Sequence, residues 1–164
     1  MGGLLRALTL GGALILGGAL AIWPGPSQAA PECREDAVYL RGDWGSARFS
    51  VEIADSVGER ARGLMHRESL PRSAGMLFVY HQSTAVAFWM KNTLIPLDLL
   101  FIDARGVVQK VHARAVPHDL TQIPASDVKA VLEINGGLAK AMGIGVGSEM
   151  LHPSFGRDAA WSCD

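Results

Sequence analysis

The stretch Phe88-Trp89-Met90-Lys91-Asn92-Thr93-Leu94-Ile95-Pro96-Leu97-Asp98 places an indole, an ammonium, an amide, a hydroxyl and a carboxylate within eleven residues. A few polar groups among apolar walls is the usual lining of a small-molecule site. Asp98 raises the sharpest question. Alternation over residues 97–102 puts Leu97, Leu99 and Phe101 on one side and Asp98, Leu100 and Ile102 on the other. Both faces are then apolar except at Asp98. A carboxylate so placed must be paired, protonated or at a rim, because an unpaired buried charge is strongly unfavourable. Lys91, Asn92, Thr93, Arg62 and Arg67 are the candidate partners. In one reading Asp98 only pins the 91–96 turn through hydrogen bonds. In the other, Arg62, Trp89, Lys91, Asn92 and Asp98 form a binding site for a small polar or anionic ligand, with Trp89 and Met90 as apolar walls.

Glu133 poses the same problem in the apolar segment 130–134. Two inward carboxylates can do acid–base work only if they face each other. A hydrolase using Asp98 or Glu133 is therefore the alternative function, and no catalytic residue is assigned. Arg62 and Arg67, five residues apart, are solvated, paired with Glu59 or Glu68, or joined in a clamp for a carboxylate or phosphate. The five histidines form neither H-x-H nor H-E-x-x-H. Met65-His66 and Met150-Leu151-His152 offer soft ligands suited to copper. Core packing explains Met65, Met76 and Met90 equally well, so no metal and no cofactor is expected. A G-x-S-x-G elbow is absent. Gly143-Ile144-Gly145-Val146-Gly147 lacks the Lys-Ser/Thr ending of a phosphate loop and reads as a turn.

Composition narrows the classes. The 164 residues carry 15 Lys+Arg against 16 Asp+Glu, a net charge of −1, with no basic run. That balance argues against a nucleic-acid partner. With 49% hydrophobic and 19% charged residues the chain is globular rather than disordered, and its length suits one domain.

The first thirty residues read as an address. Arg6 precedes a 16-residue run, 7–22, whose only polar member is Thr9. Pro24, Gly25 and Pro26 follow, then small residues at Ser27, Ala29 and Ala30. This is the order of a secretory signal peptide, spanning 1–29 with cleavage after Ala29. The run is shorter than the roughly 20 residues of a membrane span, so no stable span is expected after cleavage. An exported protein, periplasmic or extracellular, follows. In an oxidising compartment Cys33 and Cys163, near the two ends of the mature chain, read as a disulfide. A reactive or metal-binding thiol pair and two free thiols are the alternatives.

These residues need a scaffold. Residues 48–53 alternate as a half-buried strand. Ser56-Val57-Gly58-Glu59 matches a capping box, predicting a short helix to about His66, with Ala61, Leu64 and Met65 inward. Gly63 inside it suggests a close backbone approach. Residues 75–80, 85–90, 97–102 and 107–113 read as strands, the last two joined by a hairpin turn at 103–106. Residues 117–127 read as a loop, 130–134 as a strand, 138–142 as a helical turn capped by Gly143, and 149–152 as a last strand. The expected fold is mainly β: a single-domain β-sandwich or partly open barrel with one short α-helix. Its core is placed at 47–152, between an N-terminal extension 30–46 and a C-terminal tail 153–164.

The 88–98 motif, with Arg62-Gly63-Leu64-Met65, Gly75-Met76-Leu77-Phe78-Val79, Val131-Leu132-Glu133-Ile134-Asn135-Gly136-Gly137 and Gly143-Ile144, closely resembles the family called domain of unknown function 192. The resemblance covers roughly 51–150. It implies a compact, mostly-β single domain, often exported, and brings no established activity, cofactor or catalytic residue. The leading expectation is a monomeric, exported, non-catalytic binding module for a small polar or anionic envelope ligand. A protein–protein adaptor using the 117–127 loop is a further alternative.

Overall fold

The computed structural model describes Gly2 and residues 31–164, so the expected signal peptide lies outside the described residues. Residues 31–164 form one compact unit. Its elements are β1 (Ala37–Gly42), β2 (Gly45–Ala54), α1 (Val57–Arg62), β3 (Ala74–Phe88), β4 (Leu97–Ile102), β5 (Val108–Ala115), β6 (Ile123–Asn135), α2 (Leu138–Met142) and β7 (Glu149–Leu151), with a 3-10 turn at Pro153–Phe155.

The strands make one seven-stranded sheet in the order β5-β4-β6-β3-β2-β1-β7. All neighbours are antiparallel except β2 and β3. The sheet curls until its two edge strands meet. Val107 bridges Glu149, Val108 N–H donates to Ser148 O at 2.9 Å, and Met150 N–H donates to Gly106 O at 2.8 Å. This is the partly open barrel. All seven strands feed one buried cluster, including Leu40, Phe49, Leu77, Leu100, Val108, Leu132 and Met150, and α2 adds Leu138 and Ala139. The other face of β3, β4 and β6 carries a second cluster of Met76, Phe78, Leu99, Phe101 and Val131, covered by Leu64 and Met90. All six residues of β4 are buried for this reason.

Several boundaries differ from expectation. The stretch 30–46 is no extension, because β1 lies within it and pairs with both β2 and β7. Nor is 153–164 a mere tail: Phe155 is buried in the barrel core. Residues 75–80 and 85–88 are parts of one 15-residue strand, bent by irregularities at Val79/Thr84 and Thr84/Val86, and Trp89 and Met90 lie beyond its end. Its outer arm recruits 123–128 as the start of β6, with Ile123 opposite Phe88, so the 117–127 loop ends earlier than expected. Among the described residues there are two short α-helices, not one.

The capping box of α1 is present. Glu59 N–H donates to Ser56 Oγ at 3.2 Å, and Ser56 N–H to Glu59 Oε2 at 3.0 Å. The helix stops four residues short of His66 because Gly63 takes φ 49°, a left-handed value that favours glycine. A Cβ there would also stand 3.0 Å from Phe78 Cζ, which is the close approach expected of this glycine. Leu64 is buried, Met65 is half-buried and Ala61 is exposed.

A lone carboxyl beneath a cationic rim

Register places the two central carboxylates on opposite faces of the sheet. Asp98 stands opposite Ile134, and Glu133 opposite Leu99 and Met76. They share no site. Asp98 is fully buried on the barrel side. Its Oδ1 accepts from Arg114 N–H at 2.8 Å and Gly137 N–H at 2.7 Å, and its Oδ2 from Ala139 N–H at 2.8 Å. The carboxylate therefore fastens α2 to the end of β5. It does not pin the 91–96 turn, and none of Lys91, Asn92, Thr93, Arg62 or Arg67 bonds to it. Three peptide donors satisfy a buried carboxylate without any cation.

Glu133 is only 5% exposed, and its carboxyl makes no hydrogen bond or ion pair within the described residues; its oxygens are not sealed off but keep access to solvent. Its carboxyl borders a small cleft lined also by Arg60, Arg62, Trp89, Lys91 and Thr93, with Phe78 and Phe88 as apolar wall. Burial pushes its pKa up to about 8. At neutral pH the group is mostly a neutral acid, able to donate one hydrogen bond. Tyr80 feels the same surroundings: burial raises its pKa first, Arg60 opposes, and the charge of Glu133 adds to the rise.

The rim of this cleft is cationic and aromatic. Trp89 is 45% exposed, and the Lys91 ammonium lies 5.2 Å from its ring centroid. Arg62 ends α1, and its guanidinium makes no hydrogen bond or ion pair among the described residues. Arg60 is committed elsewhere: its Nη1 donates to Asp55 O and, at 2.9 Å, to Val79 O, and its guanidinium stacks on Tyr80. Phe88 meets Phe78 and Phe101 edge-on at 5.0 and 5.9 Å, which stiffens the wall.

The structure thus brings together Arg62, Trp89 and Lys91 of the expected set and adds Glu133. Asn92 neighbours them, turned toward Met65, with Nδ2 4.0 Å from Sδ and its carbonyl accepting from His66 N–H at 2.8 Å. Met90 is buried in the second core and forms no wall of this cleft. Arg67 pairs with Glu52 at 2.6 Å, so no clamp forms with Arg62. Of the soft-ligand pairs, Met150 is in the core, while His152 is held by Ser154 and Glu35 O. Among the described residues no three His, Cys, Asp or Glu converge as metal ligands. Cys33 and Cys163 are joined in a disulfide with Cα atoms 5.6 Å apart. Thr93, a candidate partner of Asp98 by sequence, lines this cleft instead, and Arg60 joins it through the Arg-Ala-Arg spacing at the end of α1.

The model of the DUF192 family, described as an uncharacterized ACR, matches residues 39–152. Two crystal structures are similar, each with a TM-score of 0.69. A protein of unknown function from Novosphingobium aromaticivorans DSM 12444 is 40% identical, over 74% of this chain and 92% of that one. A protein from Sinorhizobium meliloti 1021, described as a "putative transcription regulator", is 35% identical, over 74% of this chain and 96% of that one. No curated protein matches the chain.

Proposed function

The chain belongs to the DUF192 family, and from that premise we propose that it is an exported, non-catalytic binding protein taking a small anionic ligand at the Trp89 cleft. The observation that carries this reading is the nearly buried Glu133, whose carboxyl has no side-chain partner among the described residues, lining one cleft with Arg62 and Lys91. The O–H of a neutral acid and two cations together supply donors that suit a carboxylate or another anionic oxygen group. The enclosed space is about 30 Å³, room for roughly two water molecules. A ligand would insert one small group toward Glu133 and lay the rest of its body over the Trp89 indole.

Export is supported by the signal-like run at 7–22 and by the disulfide, which persists in oxidising compartments. Among the described residues no helix is long and apolar enough to cross a membrane. A role in transcription regulation, the description that the Sinorhizobium protein carries, draws no support from a net charge of −1.

A second reading rests on the raised pKa of Glu133. A carboxyl still protonated near neutrality suits a general acid, so a hydrolase acting through Glu133 stays in view. Native mass spectrometry of protein purified gently from its own compartment tests the binding reading. The expected result is an adduct of defined mass that disappears in an Arg62→Gln/Lys91→Gln variant of unchanged stability. An adduct-free protein, or an adduct indifferent to the substitutions, would overturn it; chemical conversion of the bound species would favour the hydrolase.

A further inference from the structure

A larger basic cleft, about 350 Å³, lies between the Leu70–Arg72 segment, the end of β5 and the turn after β6. The charged side chains lining it are Arg72 and Arg114, and no carboxylate does. Neither guanidinium makes a hydrogen bond or ion pair among the described residues, whereas Arg34, Arg41, Arg67 and Arg157 each hold a carboxylate.

The placement of Arg114 is built in. Its φ is 53°, a left-handed value uncommon outside glycine, and its N–H is tied to Asp98 Oδ1. The same oxygen holds Gly137 N–H. The Arg114 guanidinium lies against Gly137, where a Cβ would come within 2.7 Å of Nη2 and 2.9 Å of Cζ. Buried Asp98 thus fixes the backbone of Arg114 and the glycine beneath its side chain to one another. From the opposite side, Asn135 Nδ2 donates to Leu70 O at 3.1 Å and Pro71 O at 3.2 Å, holding the segment that carries Arg72. Two arginines whose backbones are anchored from both sides, lining a cleft with Gly136 and Gly137, match an oxyanion, which their planar forks bind bidentately.

We propose that this cleft is a second ligand site, taking the phosphate or carboxylate group of a small molecule between Arg72 and Arg114. It shares no residue with the Trp89 cleft, so either site can fail without the other.

The test is a backbone-amide and arginine-Nε NMR titration of the disulfide-intact protein with inorganic phosphate, and separately with succinate, at constant ionic strength. Saturable shifts at Gly136, Gly137, Arg72 and Arg114 are expected with at least one probe. The tighter probe identifies the preferred oxyanion. Arg72→Gln should weaken that affinity at least tenfold, Arg114→Gln likewise, and Arg48→Gln, at an exposed residue lining neither cleft, should leave it unchanged. Arg72 is exposed, so its variant decides the matter even if Arg114→Gln perturbs the turn. No saturable shift with either probe, or shifts that survive Arg72→Gln, would overturn the proposal.

Discussion

Asp98 and Glu133 sit on adjacent, directly paired strands yet project to opposite sides of the sheet, because Leu99, not Asp98, is the register partner of Glu133. The two acids therefore meet different physics. Asp98 faces three peptide N–H groups and is satisfied in place. Glu133 is paired with Met76 and Leu99 in register and lines a cleft, where its carboxyl takes no protein partner among the described residues.

Replacing Asp98 should cost stability rather than ligand affinity at the Trp89 cleft. Asp98→Ala leaves one buried and two part-buried donors without their acceptor, and at about 1 kcal/mol each a loss of about 2–3 kcal/mol is expected in urea unfolding. Asp98→Asn keeps the volume but turns an NH₂ toward a peptide donor, and should lose less. A neutral effect of Asp98→Ala would contradict the structural role.

Glu133→Gln should do the reverse. Below the ordinary glutamate value of 4.5, Glu133 is protonated in both folded and unfolded chains, and the substitution changes little. As pH rises above that, the unfolded chain ionises while the folded one holds its proton until about 8. The wild type therefore loses stability across this window and the glutamine variant does not. The charged residues lining the same cleft are Arg60, Arg62 and Lys91, and Tyr80 responds to the charge of Glu133. The gain should level off above pH 8 at a few kcal/mol, on the order of 3–5. Thermal midpoints of both proteins from pH 4 to 9 measure it, and a gain that does not grow with pH would refute the burial argument.

The disulfide and the export reading share one measurement. The intact mass of protein recovered outside the cytoplasm should correspond to a chain beginning at Ala30 and lacking two hydrogens. Reduction should destabilise it by about 2–4 kcal/mol, since a bridge spanning 130 residues restrains nearly the whole unfolded chain. Two free thiols, or an uncut N-terminus, would contradict the respective half.

Much of the scaffold was legible in local sequence. The Ser56–Glu59 box, the alternation of 97–102 and the Gly143 cap all act within a few residues, and the structure has each of them. The burial of both acids was legible for the same reason. What satisfies Asp98 was not, because its partners are backbone amides 16, 39 and 41 residues away, and any residue type but proline supplies such a group. The β6 extension was hidden likewise. Pro124, Ser126 and Asp127 read as loop, and only pairing with the outer arm of β3 makes that segment a strand. β1 escaped notice because its six residues lie between polar turns and gain their place only by pairing on both sides.

The most direct measurement is a ¹³C NMR titration of the Glu133 side-chain carboxyl, with and without acetate as a probe anion. The account predicts a midpoint near 8, moved higher by acetate, because an anion held by Arg62 and Lys91 favours the protonated acid beneath it and the coupling is reciprocal. A midpoint near 4.5, or one that acetate leaves in place, would contradict the claim that this cleft receives an anionic group.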